Sequence, residues 1–474
     1  MGKSSISSSL IWGSVERFGY SGIVFLITIL LARILTPADF GLIGTLSLFM
    51  AVSQVLIDSG LGGALIRKKE IDQSDYNTVF TINLIISCVL YIILFISAPF
   101  IADFYKNEKL SLVLRVLSLT LIFSALCLTG KVRLLRNLEY KKIASISISS
   151  VILSGIVAIS AAIYGLKYWA LVLQTSSYYI FFFVLLLFFT NTKTNIGICK
   201  NSFKSLYSFG SNLLFSSILQ IFVSEGITAL ISKKYSFAIT GQYYQAKKLI
   251  DFPVSISRSI ADSVVFPILS RIDDKEEFIG KAHFFAKIIM LAAFPVFVIL
   301  FYCSHQVVLT ILGTKWEGSV PILQVLCVGA FFMIVEGINR NFIKSRGKSN
   351  LILKAEFFKR FVDIVIIIST VNLGLFVLLK AIVVSNIIAC MINMIFFSIS
   401  EKFSFFEQLF IVLKVLGVNF ICGFASNFVS KEICNDRGII FSVSFTFIFL
   451  ILYLLAVRLL FPKEFRNFKT IFNK

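Results

Sequence analysis

The sequence predicts an all-α integral membrane protein of about fourteen transmembrane helices, and three observations predict it. The 474 residues are 57% hydrophobic and only 15% charged, with a mean hydropathy of +0.90; a soluble domain carries roughly a quarter charged residues. Apolar runs of about 20 residues, the length that crosses a bilayer as a helix, recur from end to end. Lys and Arg concentrate in alternate gaps between those runs. The runs are continuous, as in Ile82–Ile96 and Phe441–Leu455, rather than the short alternating segments of a membrane barrel. A helix also satisfies its own backbone in hydrocarbon.

Taken in order, the first span, 8–35, ends at Thr36-Pro37, and the second, 40–65, ends at Arg67-Lys68-Lys69. Spans 78–102 and 111–135 flank the polar turn around Lys106, and the basic stretch Lys131–Lys142 leads into span 143–164. Lys167 separates that span from 167–190, and Lys193–Lys204 separates 167–190 from 206–232. Span 238–270 follows Lys233-Lys234 and stops at Arg271. Spans 282–312, 319–343, 350–372, 374–399, 405–430 and 438–461 follow, each bounded by charged or turn residues. One set of alternate gaps carries twenty-five Lys and Arg, the other eight. By the positive-inside rule both termini are expected on the cytoplasmic side, which requires an even span count. The net charge of +20 therefore reads as a topology signal facing anionic lipid, not as a nucleic-acid interface. No gap is long enough for a soluble catalytic domain. The cysteines form no CxxC and His283 and His305 belong to no metal motif, so neither cofactor nor metal is expected.

An internal repeat joins the halves. Arg33-Ile-Leu-Thr-Pro-Ala-Asp-Phe-Gly41 lies 200 residues before Lys233-Lys-Tyr-Ser-Phe-Ala-Ile-Thr-Gly241, and Leu114-Arg-Val-Leu117 lies 209 before Leu323-Gln-Val-Leu326. The expected organisation is a six-helix lobe over 1–200, a second over 201–402, and two appended helices over 403–474, the lobes related by a pseudo-two-fold axis along the membrane normal.

Charged residues inside spans are costly and mark functional positions. Lys247, Asp251, Ser255, Arg258 and Asp262 fall near one face of the eighth span, with Lys248 beside them. They form either a self-neutralising ladder or a cavity wall. Asn212, Ser216, Gln220 and Ser224, with Glu225 adjacent, stripe the seventh span, as site or as interhelical glue. Glu16, Arg17 and Tyr20 mark the first span. Gln54 and Asp58 mark the second, where Asp58 is a site residue or a helix-end cap. Glu336 and Arg340 are expected to pair with each other. Lys354, Glu356, Lys359, Arg360 and Asp363 are expected to snorkel to the headgroups. Together the stripes point to a hydrated cavity between the halves whose cations favour a phosphate-bearing substrate, with Glu16, Asp58, Glu225, Asp251 and Asp262 as candidates for ion coupling.

Four ordered segments carry a family resemblance: Ala32-Arg-Ile-Leu-Thr-Pro-Ala-Asp-Phe-Gly-Leu42; Arg133-Leu-Leu-Arg-Asn-Leu-Glu-Tyr-Lys141; Gly241-Gln-Tyr-Tyr-Gln-Ala-Lys-Lys-Leu-Ile-Asp-Phe-Pro253 with Val265-Phe-Pro-Ile-Leu-Ser-Arg271; and Leu312-Gly-Thr-Lys-Trp-Glu-Gly-Ser-Val-Pro321. Through roughly residue 350 the chain resembles the Wzx-type oligosaccharide flippases of the multidrug/oligosaccharidyl-lipid/polysaccharide exporter superfamily. The resemblance implies a bacterial inner-membrane protein with two six-helix lobes around a central cavity. It implies alternating-access transfer of undecaprenyl-pyrophosphate-linked repeat units for O-antigen, capsule or exopolysaccharide synthesis, in contact with membrane lipids and other polysaccharide-assembly proteins. By span and character it places Arg17, Lys247, Lys248 and Arg258 on the pyrophosphate or acidic sugars, with Asn212 and Gln220 as further substrate contacts. A cation-coupled drug or small-molecule exporter on the same fold is the alternative; it needs an acidic cavity and twelve spans. A membrane polysaccharide polymerase or glycosyltransferase would need a large external loop or an acidic metal motif, and the sequence has neither, so no enzyme is expected.

Overall fold

The structure, a computed structural model, describes residues 3–58, 61–62, 65, 68, 71–190, 195–401, 403–433, 438–462 and 464, without the side chains of 3–11, 14, 201, 203–216 and 349. Among the described residues there are helices and no strand, and fourteen of the helices are long. These are α1 (Lys3–Ile34), α2 (Pro37–Asp58), α3 (Gln73–Phe104), α4 (Lys109–Arg136), α5 (Tyr140–Ile163), α6 (Trp169–Phe189) and α7 (Lys200–Lys234). α8 (Phe237–Ile260) continues through a π turn, Ala261–Val265, into Phe266–Leu269. α9 (Lys275–Tyr302), α10 (Ser319–Ser345), α11 (Ser349–Thr370), α12 (Leu375–Glu401), α13 (Phe405–Ile433) and α14 (Ile439–Leu460) complete the set. Among the described residues twelve are long and apolar enough to cross a membrane. α7 is described with its side chains mainly from 217 onward, and α11 owes its polarity to Lys354, Glu356, Lys359, Arg360 and Asp363. The chain is a multi-pass membrane protein, and the fourteen apolar runs of the sequence are its fourteen long helices. α2 is described to Asp58, and Leu61, Gly62 and Leu65 beyond it are again helical.

The chain divides into two compact units, Met1–Tyr244 and Gln245–Lys474, with the division inside α8. In the first unit α3 packs on α4, α5 on α1 and α6, α4 on α6, and α2 on α7. Leu42, Leu46, Leu110, Val113, Leu114, Leu117 and Leu121 form its core. α3 shows how a membrane helix inverts the soluble pattern: Thr78, Thr81, Asn83, Ser87 and Ala98 are buried, whereas Ile85, Val89, Ile92, Ile96 and Phe100 are exposed. Polar and small residues pack helix on helix, and lipid takes the bulky apolar face.

The 200-residue offset reappears in three dimensions where α2 and α8 begin. Thr36 caps α2, its hydroxyl accepting from the Asp39 N–H at 3.4 Å while Asp39 accepts from the Thr36 N–H at 3.0 Å. Pro37 follows at the first helical position, where its missing N–H costs nothing. At the matching place Ser236 accepts from the Ile239 N–H at 3.2 Å. The two helix starts touch backbone to backbone: a Cβ on Gly41 would land on the Phe237 carbonyl, and one on Gly241 on the Pro37 carbonyl. Each partner is the other's equivalent at the same offset, so the contact is pseudo-symmetric and only glycine fits either side. Beside it, Thr45 and Ser232 share a hydrogen bond of 2.6 Å, and Ser47 donates to Glu225 at 2.7 Å.

In the second unit α10 packs on α12 and α9, α11 on α12, and α13 on α14 and α9. α14 buries one face of Phe441, Phe445, Phe449 and Tyr453, four residues apart and stacked ring on ring. The Tyr453 hydroxyl donates to the Leu291 carbonyl at 2.7 Å. Val443, Phe447 and Leu454 on its other face are exposed.

Candidate functional site

Two polar constellations lie within the helices, one in each unit. In the first unit the middle of α1, the C-terminal end of α2, the C-terminal half of α4 and the middle of α6 line an open cavity of about 280 Å³. Glu16 and Tyr20, one helical turn apart, enter it from α1; Gln54 and Asp58, with the same spacing, enter from α2. α4 supplies Ser124 and Lys131, and α6 supplies Tyr178 and Tyr179. The lining groups hold one another. Gln54 donates to the Ser124 hydroxyl at 2.6 Å, which also bonds Tyr179. Ser147 of α5 donates to Glu16 at 3.3 Å. Tyr178 bonds Tyr20, their rings 5.5 Å apart. Lys131 lies within electrostatic reach of Asp58.

The second unit holds a buried ionic network midway along α11. Lys359 is 2% exposed and donates to Glu336 of α10 and to Glu356, each at 2.6 Å. Arg360 bridges Glu356 at 3.2 Å and Asp363 at 2.6 Å. Arg340 of α10 stands 3.7 Å from Glu356. α12 completes it: Ser385 donates to Asp363, and Asn393 donates to the Glu336 carboxylate at 2.8 Å. Glu336, Glu356 and Asp363 thus face three cations, Lys359, Arg360 and Arg340. This corrects two expectations. Glu336 and Arg340 find partners on α11 rather than each other. Lys359 does not snorkel, because Glu336 and Glu356 meet its ammonium inside the unit, a shorter reach than the headgroups.

The residues expected from sequence are distributed as follows. Glu16 and Asp58 meet in the first cavity. Arg17, next to Glu16, is exposed and does not line it. Gln220 is half-buried on α7, and Glu225 accepts from Ser47 of α2. The side chains of Asn212 and Ser216 lie outside the described residues. On α8, Lys247, Lys248 and Asp251 are half-buried and Arg258 is exposed. The Arg258 side chain runs beside Gly337 and within electrostatic reach of Glu336. Asp262 does not close an intrahelical ladder: it accepts from Asn341 at 3.0 Å and Lys344 at 3.2 Å, both on α10. It sits in the π turn. Four residues before Pro267 the helix loses a hydrogen bond and the ring crowds the Ser263 carbonyl, and the widened turn re-aims Asp262 toward α10.

Sequence reading missed Ser124, Lys131, Tyr178 and Tyr179 as lining groups. Tyr178 and Tyr179 close the run Gln174-Thr-Ser-Ser-Tyr-Tyr179, the one polar interruption of α6, and that break was the available signal. Among the described residues no group of three or more His, Cys, Asp or Glu could hold a metal ion.

Residues 30–321 match the family described as polysaccharide biosynthesis protein. The chain is similar to the teichuronic acid biosynthesis protein TuaB of Bacillus subtilis, at 24% identity over 73% of this chain and 72% of that one. It is similar to the lipopolysaccharide biosynthesis protein WzxC of Escherichia coli, at 22% identity over 74% and 72%. Its fold is that of a solved structure of the lipid II flippase MurJ in an inward closed conformation, with a TM-score of 0.75 and 15% identity over 96% of this chain and 99% of that one. A multidrug transporter of the MATE family, inward-facing, superposes with a TM-score of 0.63 at 13% identity over 83% and 98%.

Proposed function

The chain belongs to the polysaccharide biosynthesis protein family whose members its residues 30–321 match, and from that premise we propose that it is a flippase carrying lipid-linked oligosaccharide units across the bacterial cytoplasmic membrane. One observation carries the reading: polar side chains gather inside the helices of a multi-pass protein, in a cavity of about 280 Å³. Ionisable groups at membrane depth are too costly to be retained as ornament, and they mark substrate paths. TuaB and WzxC are named for polysaccharide biosynthesis, and MurJ is named a lipid II flippase, which supports a lipid-linked substrate for this chain. Chemistry is not needed for that task, and the protein acts as a transporter rather than an enzyme.

The excess of twenty-five Lys and Arg over eight in alternate gaps supports cytoplasmic termini. The N-terminal end of α1 and the C-terminal ends of α2 and α4 then face the cytoplasm, where lipid-linked units are assembled. A diphosphate needs cations. Arg17 of α1 and Lys247, Lys248 and Arg258 of α8 are assigned that role, and two lobes of the 1–200 and 201–402 repeat would alternate the site between leaflets.

Deleting the gene is expected to trap single lipid-linked units in the cytoplasmic leaflet, read by glycolipid extraction and leaflet-selective labelling. Units that reach the outer leaflet but stay unpolymerised would instead identify a polymerase. Arg258→Ala should lower export roughly 10- to 100-fold, the worth of one hydrogen bond to a charged group, with protein in the membrane unchanged. Normal glycan output would remove Arg258 from the site.

A further inference from the structure

Resting on that reading, we propose that the cavity of the first unit is a subsite for one neutral sugar ring of the carried glycan, separate from the cations that hold its diphosphate. Size, lining and charge argue it independently. At about 280 Å³ the cavity holds the volume of roughly nine waters. That is room for a single pyranose with a few ordered waters.

The lining has the two faces that a pyranose has. Tyr20 and Tyr178, rings 5.5 Å apart, offer aromatic surface to the C–H face of a sugar, and phenol hydroxyls offer polar tips. Glu16, Asp58 and the Gln54 amide supply acceptors and a donor for its hydroxyls. Carboxyl oxygens and the amide oxygen are acceptors, so a ligand rich in O–H donors suits this lining. Much of the lining is already placed: Gln54 on Ser124 at 2.6 Å, Tyr179 on the same hydroxyl, and Ser147 on Glu16. Binding therefore needs little reordering.

Charge narrows the ligand further. Among the described lining residues two carboxyl groups, Glu16 and Asp58, stand against one ammonium, Lys131. That balance favours neutral hexoses and N-acetylhexosamines over uronic acids and the diphosphate in this pocket. Asp58 and Lys131 lie near the cytoplasmic ends of α2 and α4 in the topology above, on the side where a newly assembled unit enters, and Glu16 reaches the cavity from nearly midway along α1.

The test uses the full-length protein in lipid nanodiscs and saturation-transfer NMR with methyl hexosides, methyl N-acetylhexosaminides and methyl glucuronide as probes. Saturation is expected on the ring C–H protons of one or more neutral glycosides, with little on the glucuronide. Tyr178→Ala and the nearly isosteric Gln54→Leu should each lower it about tenfold, the loss of one or two polar contacts, and a retained helical spectrum for Gln54→Leu guards against collapse. Absence of transfer from every neutral glycoside, transfer that survives both substitutions, or glucuronide transfer as strong as the neutral one overturns the subsite. The gene deletion separates the two readings: trapped lipid-linked units without a sugar signal overturn the subsite alone, and a sugar signal without trapped units overturns transport while keeping the sugar site.

Discussion

Lys359→Met is expected to destabilise the protein by about 3–5 kcal/mol, the cost of removing one partner from a buried ion pair. The ammonium sits between Glu336 and Glu356 at 2.6 Å from each and is almost fully buried. Met fills much of the same space, so the loss is electrostatic rather than a cavity. Two carboxylates would then share a desolvated site, with Arg360 and Arg340 still engaged by Glu356 and Glu336 left with the Asn393 hydrogen bond and the more distant charges of Arg258 and Arg340. In a unit of this size the penalty corresponds to a fall of roughly 5–20 °C in Tm, read by thermal unfolding of the purified protein in detergent. Lys359→Met combined with Glu336→Gln removes both ends of one pair and should recover much of the loss; the double-mutant cycle then isolates their coupling. A Tm for Lys359→Met within a degree of the parent would show that the network contributes nothing.

That network also shows where sequence reading reaches and where it stops. Hydropathy is a property of each run on its own, and the fourteen runs became fourteen helices because each crossing must satisfy its backbone internally. Partners between helices are not encoded in any one run. Lys359 and Glu356 are three residues apart and could be read as neighbours, but the contribution of Glu336 and Asn393 depends on how α10 and α12 lie beside α11. Snorkelling was the correct default for a lysine facing lipid and failed because this one faces α10. Asp262 departs from the ladder alternative for a different reason, the π turn before Pro267, which breaks the i,i+4 spacing that a ladder needs. The cavity of the first unit was half legible. Glu16, Gln54 and Asp58 stand out as polar residues in apolar spans, whereas Tyr178 and Tyr179 look like ordinary aromatic filling until α6 is placed against α1 and α4. The 200-residue repeat was legible as a motif, and its consequence, two glycines crossing, needed coordinates.

That crossing yields the second large effect. Gly41→Ala is expected to cost about 3 kcal/mol or more, at or beyond the upper end for overpacking, because the new methyl would meet the Phe237 carbonyl oxygen, a backbone atom at a capped helix start. No side-chain rotation relieves that overlap; α2 and α8 must move apart, which also strains the adjacent Thr45–Ser232 bond. Gly241→Ala should cost a similar amount, since its Cβ meets the Pro37 carbonyl in the mirrored arrangement. The double variant should cost less than the sum, because separation forced by one methyl makes room for the other. The same chemical change supplies its own control: Gly226 and Gly280 lie inside α7 and α9 with nothing within 4 Å of a built Cβ, and Ala there should be neutral or stabilise by up to about 1 kcal/mol through helix propensity. Thermal unfolding of the four single variants and the double variant decides the matter. Equal Tm values for Gly41→Ala and Gly226→Ala would mean that the two helix starts do not meet backbone to backbone, and that the repeat's symmetry is not realised at this contact.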